Sequence, residues 1–288
     1  MQQNCRINEP ETRPEMSARE FELLSRFIYR ECGLWLSESK KGMLAARLLR
    51  RLFCLGISDF GGYYKYIGSA EGRADELPLM LDLVTTHKTD FFREPAHFEF
   101  LCAEALPRIA AEFPRRYRNG IGIWSAGCST GEEVYSIAMA LSEFEGPAGL
   151  SRYRITGTDV SEAAVSKAAN GIYTEAAAAG VPEGFRHRYM LRGRGGKAGL
   201  FRIDPALRAR VIFRHHNLLD DPAVTGADII FCRNVLIYFD AATQARLVQK
   251  FFTATAPGGF LFIGHSETLD GKTAGYRRFA PTIYRRPA

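Results

Sequence analysis

The sequence predicts an α/β protein in which an all-helical N-terminal region precedes a largely parallel sheet. Residues 17–110 carry apolar side chains at helical spacing and show no strand pattern. Beyond residue 120, short apolar runs alternate with helical patterns, which is typical of a parallel sheet with helices on both faces. Residues 174–209 interrupt this alternation with two strand-like runs around a glycine-rich segment, which predicts a small inserted antiparallel β subdomain.

The helical region contains clear start and stop signals. Ser17 and Glu20 are spaced as a capping box, and Gly33 is placed to end the helix that they begin. Asp59 is expected to start a later helix that carries Tyr63. Further helices are predicted over residues 37–54, 77–83 and 96–111.

The sheet is predicted from short apolar runs in the second half of the chain. Ser161 is placed to cap the helix after the second strand. Residues 241–254 are expected to form the helix before the last parallel strand, and residues 278–285 a single antiparallel edge strand. Parallel strands are predicted at residues 121–124, 153–158, 211–213, 229–232 and 260–263, and strands of the insertion at 188–191 and 200–203.

These patterns divide the chain into a short polar start and two domains. Residues 1–16 are expected to be loosely ordered, residues 17–95 to form the helical domain, and residues 96–288 to form the sheet domain with its insertion at 174–209. A chain of 288 residues is long enough for two domains of about 100–200 residues.

Composition excludes several classes of protein and leaves the acidic partner open. The chain has 46% hydrophobic residues and no apolar run approaching the roughly 20 residues that span a bilayer, so we expect a cytoplasmic protein that does not insert into membranes. Its six cysteines form no CxxC pair, and no histidine spacing completes a zinc site, so no metal is expected. The net charge of +6 favours an acidic partner, which composition alone does not identify.

Three of the predicted strands end in features suited to a ligand, at the carboxyl ends where open α/β sheets bind ligands. The first strand runs into a small-residue loop at 126–131, the second ends at Asp159, and a later one ends at Arg233 and Asn234. An acid in the position of Asp159 can accept both hydroxyls of a ribose. Each signal also has a simpler interpretation: a tight turn, a helix cap for Asp159, and local backbone hydrogen bonds for Asn234.

Taken together, these residues favour a nucleoside cofactor without a pyrophosphate. The GxGxxG spacing of dinucleotide-binding loops is absent, because the loop holds only Gly127 and Gly131. Glu132 and Glu133 follow at the start of the helix, where they would repel a pyrophosphate but could hold a cationic group. S-adenosylmethionine combines a nucleoside with a positive charge and fits this pattern.

The sequence resembles the CheR family of chemotaxis receptor methyltransferases over nearly its whole length. The most specific parts of the resemblance are the stretches Ser125–Glu133 and Arg233–Phe239. The stretches that carry it are Thr89–Glu94, Trp124–Glu133, Gly157–Asp159, His216–Leu219, Phe231–Phe239 and Gly264–Glu267.

The resemblance implies a Rossmann-like methyltransferase sheet with an all-α N-terminal domain and a small β insertion. It implies methyl transfer from S-adenosylmethionine to glutamate side chains on the cytoplasmic helices of chemoreceptors, with S-adenosylhomocysteine as the other product. One position departs from the family, which often has asparagine where this chain has His87. The cofactor-binding positions it implies are His87, Thr89, Arg93, Glu133, Asp159, Asn217, Leu218, Arg233 and Asn234.

Two of these regions also suggest residues that act on the substrate. Arg93 is interpreted as an anchor for the incoming carboxylate or for the cofactor, the alternative being a surface salt bridge to Glu94 or Glu99. Tyr238 either points its hydroxyl at the substrate or packs under the sheet edge.

Two surfaces are expected to bind the receptor, at its methylation helices and at its C-terminal pentapeptide. Lys40, Arg47, Arg50 and Arg51 lie in a stretch without acids, and spacing places three of them on one helix face, although such a run is more often a solvated face. The insertion resembles family members that add a peptide strand to the sheet edge, the alternative being a plain hairpin. The insertion residues concerned are Arg192, Gly193, Gly195, Gly199 and Arg202.

Two other functions remain open at this point. A basic chain could methylate RNA, although the N-terminal region shows no RNA-binding motif and we expect no nucleic-acid partner. The protein could also bind receptors and S-adenosylmethionine as an adaptor without turnover.

Overall fold

The computed structural model describes residues 14–148, 152–271 and 273–288, which form two compact units. One unit contains residues 14–86 together with Tyr238–Asp240, and the other contains the remaining described residues. The observed division after Thr86 comes earlier in the chain than the predicted boundary after residue 95. Phe91 already packs in the core of the second unit, with its ring 4.9 Å from that of Tyr173. Of the segment 1–16 predicted to be loosely ordered, residues 1–13 lie outside the described residues.

The N-terminal unit is helical, as predicted. The capping box of Ser17 and Glu20 starts α1, and Gly33 ends it in the left-handed conformation at φ 77°. Asp59 caps α3 by accepting a hydrogen bond from Gly62 N. The helices are α1 (Ala18–Cys32), α2 (Lys41–Leu55), α3 (Phe60–Gly68), α4 (Ala70–Asp75) and α5 (Leu77–Val84).

Arg51 on α2 forms an ion pair with a buried glutamate inside this unit. Arg51 donates two hydrogen bonds to the carboxylate of Glu76, from Nε at 2.9 Å and from Nη2 at 2.6 Å. Tyr63 Oη donates to the same carboxylate at 2.7 Å. Glu76 is 1% exposed, so one buried carboxylate joins α2 and α3 to the start of α5.

The second unit is built on a mostly parallel sheet. Its helices are α6 (Ala96–Phe100), which continues through a π-helical turn (Leu101–Ala105) into α7 (Leu106–Glu112), then α8 (Pro114–Asn119), α9 (Glu132–Ala148), α10 (Glu162–Asn170), α11 (Glu175–Ala178), α12 (Glu183–Tyr189), α13 (Pro205–Arg208) and α14 (Ala241–Ala254). Its strands are β1 (Ile121–Ala126), β2 (Tyr153–Asp159), β3 (Ile172–Thr174), β4 (Met190–Arg192), β5 (Leu200–Ile203), β6 (Val211–His215), β7 (Ala227–Cys232), β8 (Thr255–Ile263), β9 (Arg277–Ala280) and β10 (Ile283–Arg285).

The seven-stranded sheet has the order β6-β2-β1-β7-β8-β10-β9, with its first five strands parallel. Ile123 of β1 lies opposite Ile155 of β2 and Ile229 of β7, and all three side chains are fully buried. From β1, the chain continues to β2 and β6 on one side of the sheet and later to β7 and β8 on the other side. The carboxyl ends of β1, β2 and β7 therefore lie together at the point where the strand order reverses. Ligands bind at such a point in open α/β sheets.

Two predicted strands need correction. Residues 278–285 were expected to form one edge strand, but Pro281 and Thr282 form a turn, with Thr282 at φ 59°. The chain folds back there, so β10 pairs with β8 and β9 becomes the edge. The strand expected at 188–191 begins only at Met190, because the preceding residues belong to α12.

The inserted subdomain is a three-stranded antiparallel sheet of order β3-β5-β4. Arg202 lies on β5, between its partners Ile172 and Leu191. β5 is hydrogen-bonded on both sides, so Arg202 lies on the central strand of this small sheet. Arg192 does lie on an edge strand, β4.

Among the described residues, no helix has both the length and the hydropathy that crossing a bilayer requires.

Candidate cofactor-binding site

The loop after β1 brings its backbone close to neighbouring elements, and glycine makes this possible. Gly127 adopts φ 80°, and a Cβ built there would lie 2.5 Å from Val235 Cγ2. Gly131 adopts φ 93°, and its Cβ would lie 2.8 Å from Ala168 Cβ. Both positions combine a left-handed backbone with close packing, so any larger residue would displace the loop.

Asp159 at the end of β2 ties this loop to the start of α10. Its Oδ2 accepts a hydrogen bond from Ser129 N at 2.8 Å, and its Oδ1 accepts one from Ser161 N at 3.0 Å. Ser161 Oγ in turn accepts from Ala164 N at 3.0 Å, which makes Ser161 the N-cap of α10. The helix-cap interpretation therefore belongs to Ser161, and Asp159 is held at the strand end by backbone donors.

Arg233 at the end of β7 is buried and held by two carboxylates. Its Nη2 lies 3.2 Å from Glu94 Oε2, and its Nη1 lies 3.4 Å from Glu133 Oε2. The guanidinium also donates to the backbone carbonyl of Arg93. Glu133 Oε1 accepts a hydrogen bond from Ser125 Oγ at 2.7 Å. One cation is thus shared between two anions at the meeting point of β1 and β7.

The two carboxylates differ in how well their charge is compensated. Burial acts to raise the pKa of Glu94, but the Arg233 guanidinium and the backbone N–H of His265 hold it below its usual range. Burial raises the pKa of Glu133 above its usual range, because Arg233 and Ser125 compensate it only in part. A cationic ligand beside Glu133 would complete that compensation.

Asn234 is held in a left-handed conformation by a buried glutamate. Its φ is 58°, and its backbone N–H donates to Glu267 Oε2 at 2.9 Å. Glu267 also accepts from Gly264 N at 2.6 Å and from Ile237 N at 3.2 Å. From the sequence, Glu94 was considered only as a surface salt-bridge partner of Arg93, and Glu267 was given no role, although both lie in stretches that carry the family resemblance. The signal in the sequence was an arginine at the end of an apolar strand, because an arginine that is buried there needs a carboxylate partner.

Several other non-glycine residues at this edge share that unusual conformation. Phe92, Glu94 and Ser129 have φ values of 53°, 57° and 49°. Strained backbone of this kind concentrates at functional sites, where surrounding contacts maintain it.

The remaining predicted cofactor residues lie near this edge of the sheet. The backbone carbonyl of His87 accepts a hydrogen bond from Ser129 Oγ at 3.0 Å. Asn217 and Leu218 follow β6, where His216 N donates to the carbonyl of Asp159 at 2.9 Å. Thr89 is half-buried in the segment before α6.

The two residues expected to act on the substrate have different surroundings. Arg93 is half-buried, and its Nη1 lies 3.4 Å from the carbonyl of Lys88, whereas the Glu94 carboxylate faces Arg233. Tyr238 belongs to the N-terminal unit, where its carbonyl accepts a hydrogen bond from Trp35 N at 2.8 Å.

The predicted basic face, which runs from Lys40 before α2 to Arg51 within it, is divided. Arg47 donates to the carbonyls of Val84 and Thr85, and Arg51 is bound to Glu76, so both serve the fold of their own unit. Lys40 and Arg50 are exposed. The expectation of one docking face formed by Lys40, Arg47 and Arg51 therefore needs correction, because helical spacing does not show which side chains meet a neighbouring helix.

In the β subdomain, Arg192 and Arg202 are both exposed. Arg192 Nη2 lies 3.4 Å from Glu175 Oε1, at an exposed pair that contributes little to stability. The fold itself explains why residue 193 is glycine, because a Cβ there would clash with the backbone of Lys197. The N–H of Gly193 donates to Leu200 O at 2.8 Å. Gly195 and Gly199 have positive φ and open space around them.

Comparison with known proteins identifies both units. Residues 19–85 match the CheR methyltransferase all-alpha domain, and residues 87–284 match the CheR methyltransferase SAM binding domain. Among curated relatives, the chemotaxis protein methyltransferase of Klebsiella aerogenes is 38% identical over 271 residues, which cover 93% of this chain and 90% of that protein. The proteins of the same name from Escherichia coli and Borreliella burgdorferi are 36% and 35% identical, over 93% and 88% of this chain and 91% and 89% of theirs.

The resemblance, the fold class and the cofactor predicted from the sequence are thus confirmed. The chain belongs to the CheR methyltransferase family, whose S-adenosylmethionine-binding domain it carries.

Proposed function

We propose that this protein transfers the methyl group of S-adenosylmethionine to glutamate side chains of chemoreceptors, forming glutamate methyl esters. The observation that carries the proposal is the buried Arg233 shared between Glu94 and Glu133 at the ends of the parallel strands. The three relatives compared above are named chemotaxis protein methyltransferases, which supports the reaction class and the signalling context.

The donor set at the strand ends suits S-adenosylmethionine. Asp159 would accept hydrogen bonds from the ribose hydroxyls, and the under-compensated carboxylate of Glu133 would face the cationic part of the cofactor. The left-handed Gly127 keeps the loop close to the strand ends without a side chain in the way. The other proposed cofactor contacts are His87, Thr89, Arg93, Asn217, Leu218, Arg233 and Asn234.

The reaction needs no general base from the protein. When bound, S-adenosylmethionine supplies a methyl group on a cationic sulfur. A glutamate acceptor has a pKa of about 4.3 and is already ionised at neutral pH. A strong cation fixed against the acceptor would stabilise the separated charges more than the transition state, in which they neutralise each other. The task left to the chain is to orient the reactants and exclude water.

This electrostatic reasoning defines the proposed roles of two residues. Arg93 anchors the incoming carboxylate at the edge of the site or contacts the cofactor, rather than stabilising developing charge. Tyr238 presents its hydroxyl to the substrate from the segment that Trp35 holds by a backbone hydrogen bond.

The substrate test uses labelled S-adenosylmethionine and membranes that contain chemoreceptors. We expect label that is released as methanol by mild alkali and is insensitive to ribonuclease. Alkali-stable or ribonuclease-sensitive label would contradict a glutamate ester and point to another acceptor such as RNA. Binding of S-adenosylhomocysteine without incorporation into any receptor would point to a non-catalytic adaptor.

We further propose that the exposed basic residues Lys40 and Arg50 attract the acidic methylation helices of the receptor. Reversing both to glutamate should raise KM for receptor membranes and flatten its salt dependence. Arg115→Glu changes the charge of an exposed arginine on α8 and serves as the control. An unchanged KM in the double variant would remove this docking surface.

The β subdomain is proposed to bind the receptor's C-terminal pentapeptide at the edge strand β4, which would recruit the enzyme to receptor arrays. The support is an exposed row in which Arg202 lies between Ile172 and Leu191, which are 43% and 51% exposed, beside the edge residue Arg192. Calorimetry with the pentapeptide of a cognate receptor should show heat that Arg192→Glu reduces and Arg115→Glu does not. Absence of heat at high micromolar peptide would exclude this tether.

A further inference from the structure

Three metal-ligating side chains from distant parts of the chain converge beside Arg233. Glu94, His97 and His265 each offer one ligand atom, and these atoms lie within 4.8 Å of one another. Glu94 Oε2 is 3.3 Å from His97 Nδ1 and 3.9 Å from His265 Nε2. A tetrahedral ion with bonds of about 2.1 Å separates its ligand atoms by roughly 3.4 Å, so only the exposed His265 must move slightly.

One ligand atom of this cluster is buried without a hydrogen-bond partner. His97 is 2% exposed, and its Nδ1 has no hydrogen-bond partner within the part of the chain that the structure describes. The opposite ring nitrogen, Nε2, lies 2.8 Å from Thr282 Oγ1, and that hydroxyl donates to Pro281 O at 2.6 Å. Because the hydroxyl proton is directed to Pro281, Thr282 accepts from Nε2–H, and the Nδ1 lone pair faces the carboxylate of Glu94. A cation between these two acceptors would satisfy both.

The chemistry of the cluster favours a particular class of ion. Two imidazoles and one carboxylate suit Zn²⁺, Co²⁺ or Ni²⁺ rather than Mg²⁺ or Ca²⁺. Thr282 fixes the tautomer and the ring orientation of His97, as outer hydrogen bonds do for metal-bound histidines. His265 is more than half exposed, so an ion can reach the cluster from solvent.

We propose that Glu94, His97 and His265 form a transition-metal site. The Arg233 guanidinium currently contacts the oxygen that would bind the ion, with Nε and Nη2 each 3.2 Å from Glu94 Oε2. The ion and Arg233 therefore compete for Glu94, while Arg233 keeps Glu133 as its other partner. This competition makes binding weaker than at a closed structural zinc site and makes metal an antagonist of the Arg233–Glu94 ion pair.

The test is a Co²⁺ titration of the untagged full-length protein, followed by visible absorption. We expect one ion per chain, a d–d absorption band, and no thiolate charge-transfer band from the cysteines. His265→Ala should weaken binding by at least about tenfold, because one of three ligands is lost. His187→Ala removes another exposed histidine and should leave the titration unchanged.

Because His265 is exposed, its truncation leaves the core intact, and His265→Asn provides a second variant with a polar side chain of similar size. The proposal is overturned by a titration without a visible band, by a thiolate band, or by equal binding in the wild type and in both His265 variants. Loss of binding in His187→Ala alone would also overturn it, because the ion would then lie elsewhere.

Discussion

Arg51 in the N-terminal unit and Arg233 in the sheet unit are both held by glutamate, but the charge around them is balanced differently. Arg51 faces one carboxylate, that of Glu76, which also accepts a hydrogen bond from the Tyr63 hydroxyl. Arg233 faces two carboxylates, and Glu133 is left only partly compensated. Arg51 lies within a regular helix, whereas Arg233 is followed by a left-handed Asn234. The first arrangement supports the fold of its unit, whereas the second is the one that we propose binds a cationic ligand.

Substitution of Arg51 should change stability more than any other substitution considered below. Arg51→Ala leaves the buried Glu76 without its cation, which should lower the free energy of unfolding by about 3–5 kcal/mol. Arg50→Ala, at the exposed neighbouring position, should stay within about 0.5 kcal/mol of the wild type. Urea denaturation measures both, and equal stability of the two variants would show that Arg51 is not a brace.

The next effect is on ligand affinity, at the arrangement around Arg233. Glu133→Gln removes the under-compensated charge and should weaken S-adenosylhomocysteine binding by about 10- to 100-fold, the equivalent of roughly 1.5–3 kcal/mol for a hydrogen bond to a charged group. Glu132→Gln is the matched control, because Glu132 is bound to Thr130 Oγ1 at 2.6 Å instead of to Arg233. If calorimetry gives the same affinity for both variants, Glu133 does not face the cofactor.

A smaller effect separates the cap of α10 from the proposed ligand residue beside it. Ser161→Ala removes the N-cap and should cost about 1 kcal/mol of stability while leaving S-adenosylhomocysteine affinity intact. Asp159→Asn should weaken that affinity. The reverse pattern, in thermal unfolding and calorimetry, would mean that the two residues have exchanged the roles assigned here.

The smallest effect is a change in the pH dependence of stability. Burial raises the pKa of Glu132 above its usual value near 4.5, so the folded protein holds this proton more tightly than the unfolded chain does. Wild-type stability from this group is therefore full below that usual value and is lost as pH rises through the raised pKa. Glu132→Gln lacks the titrating proton, so its unfolding free energy should improve relative to wild type from pH 4.5 to 7. A constant difference across this range would contradict the raised pKa.

Features set by local residue order could be predicted from the sequence. The capping box at Ser17 and the left-handed Gly33 are confirmed, because each depends on residues within a few positions along the chain. Asp159 and Arg233 also meet at the same sheet edge, since the carboxyl ends of parallel strands converge there.

Features set by contacts between distant residues could not be predicted. Spacing placed Arg47 and Arg51 on one helix face, but the carboxylate that holds Arg51 lies 25 positions further along the chain. The turn at Pro281 and Thr282 was missed because the strand-like pattern continues on both sides of it.

The same limit applies to the histidine cluster. His97 and His265 show no metal-site spacing along the sequence, because they are brought together only by the docking of α6 and the loop after β8 at one edge of the sheet.

The decisive measurement is a crystal structure of the complex with S-adenosylhomocysteine. We expect the ribose at Asp159 and the amino-acid end beside Glu133 and Arg233, at the ends of β1, β2 and β7. Ligand density at any other place, or a bound ligand without contact to Glu133 and Asp159, would show that the cofactor does not bind at these strand ends.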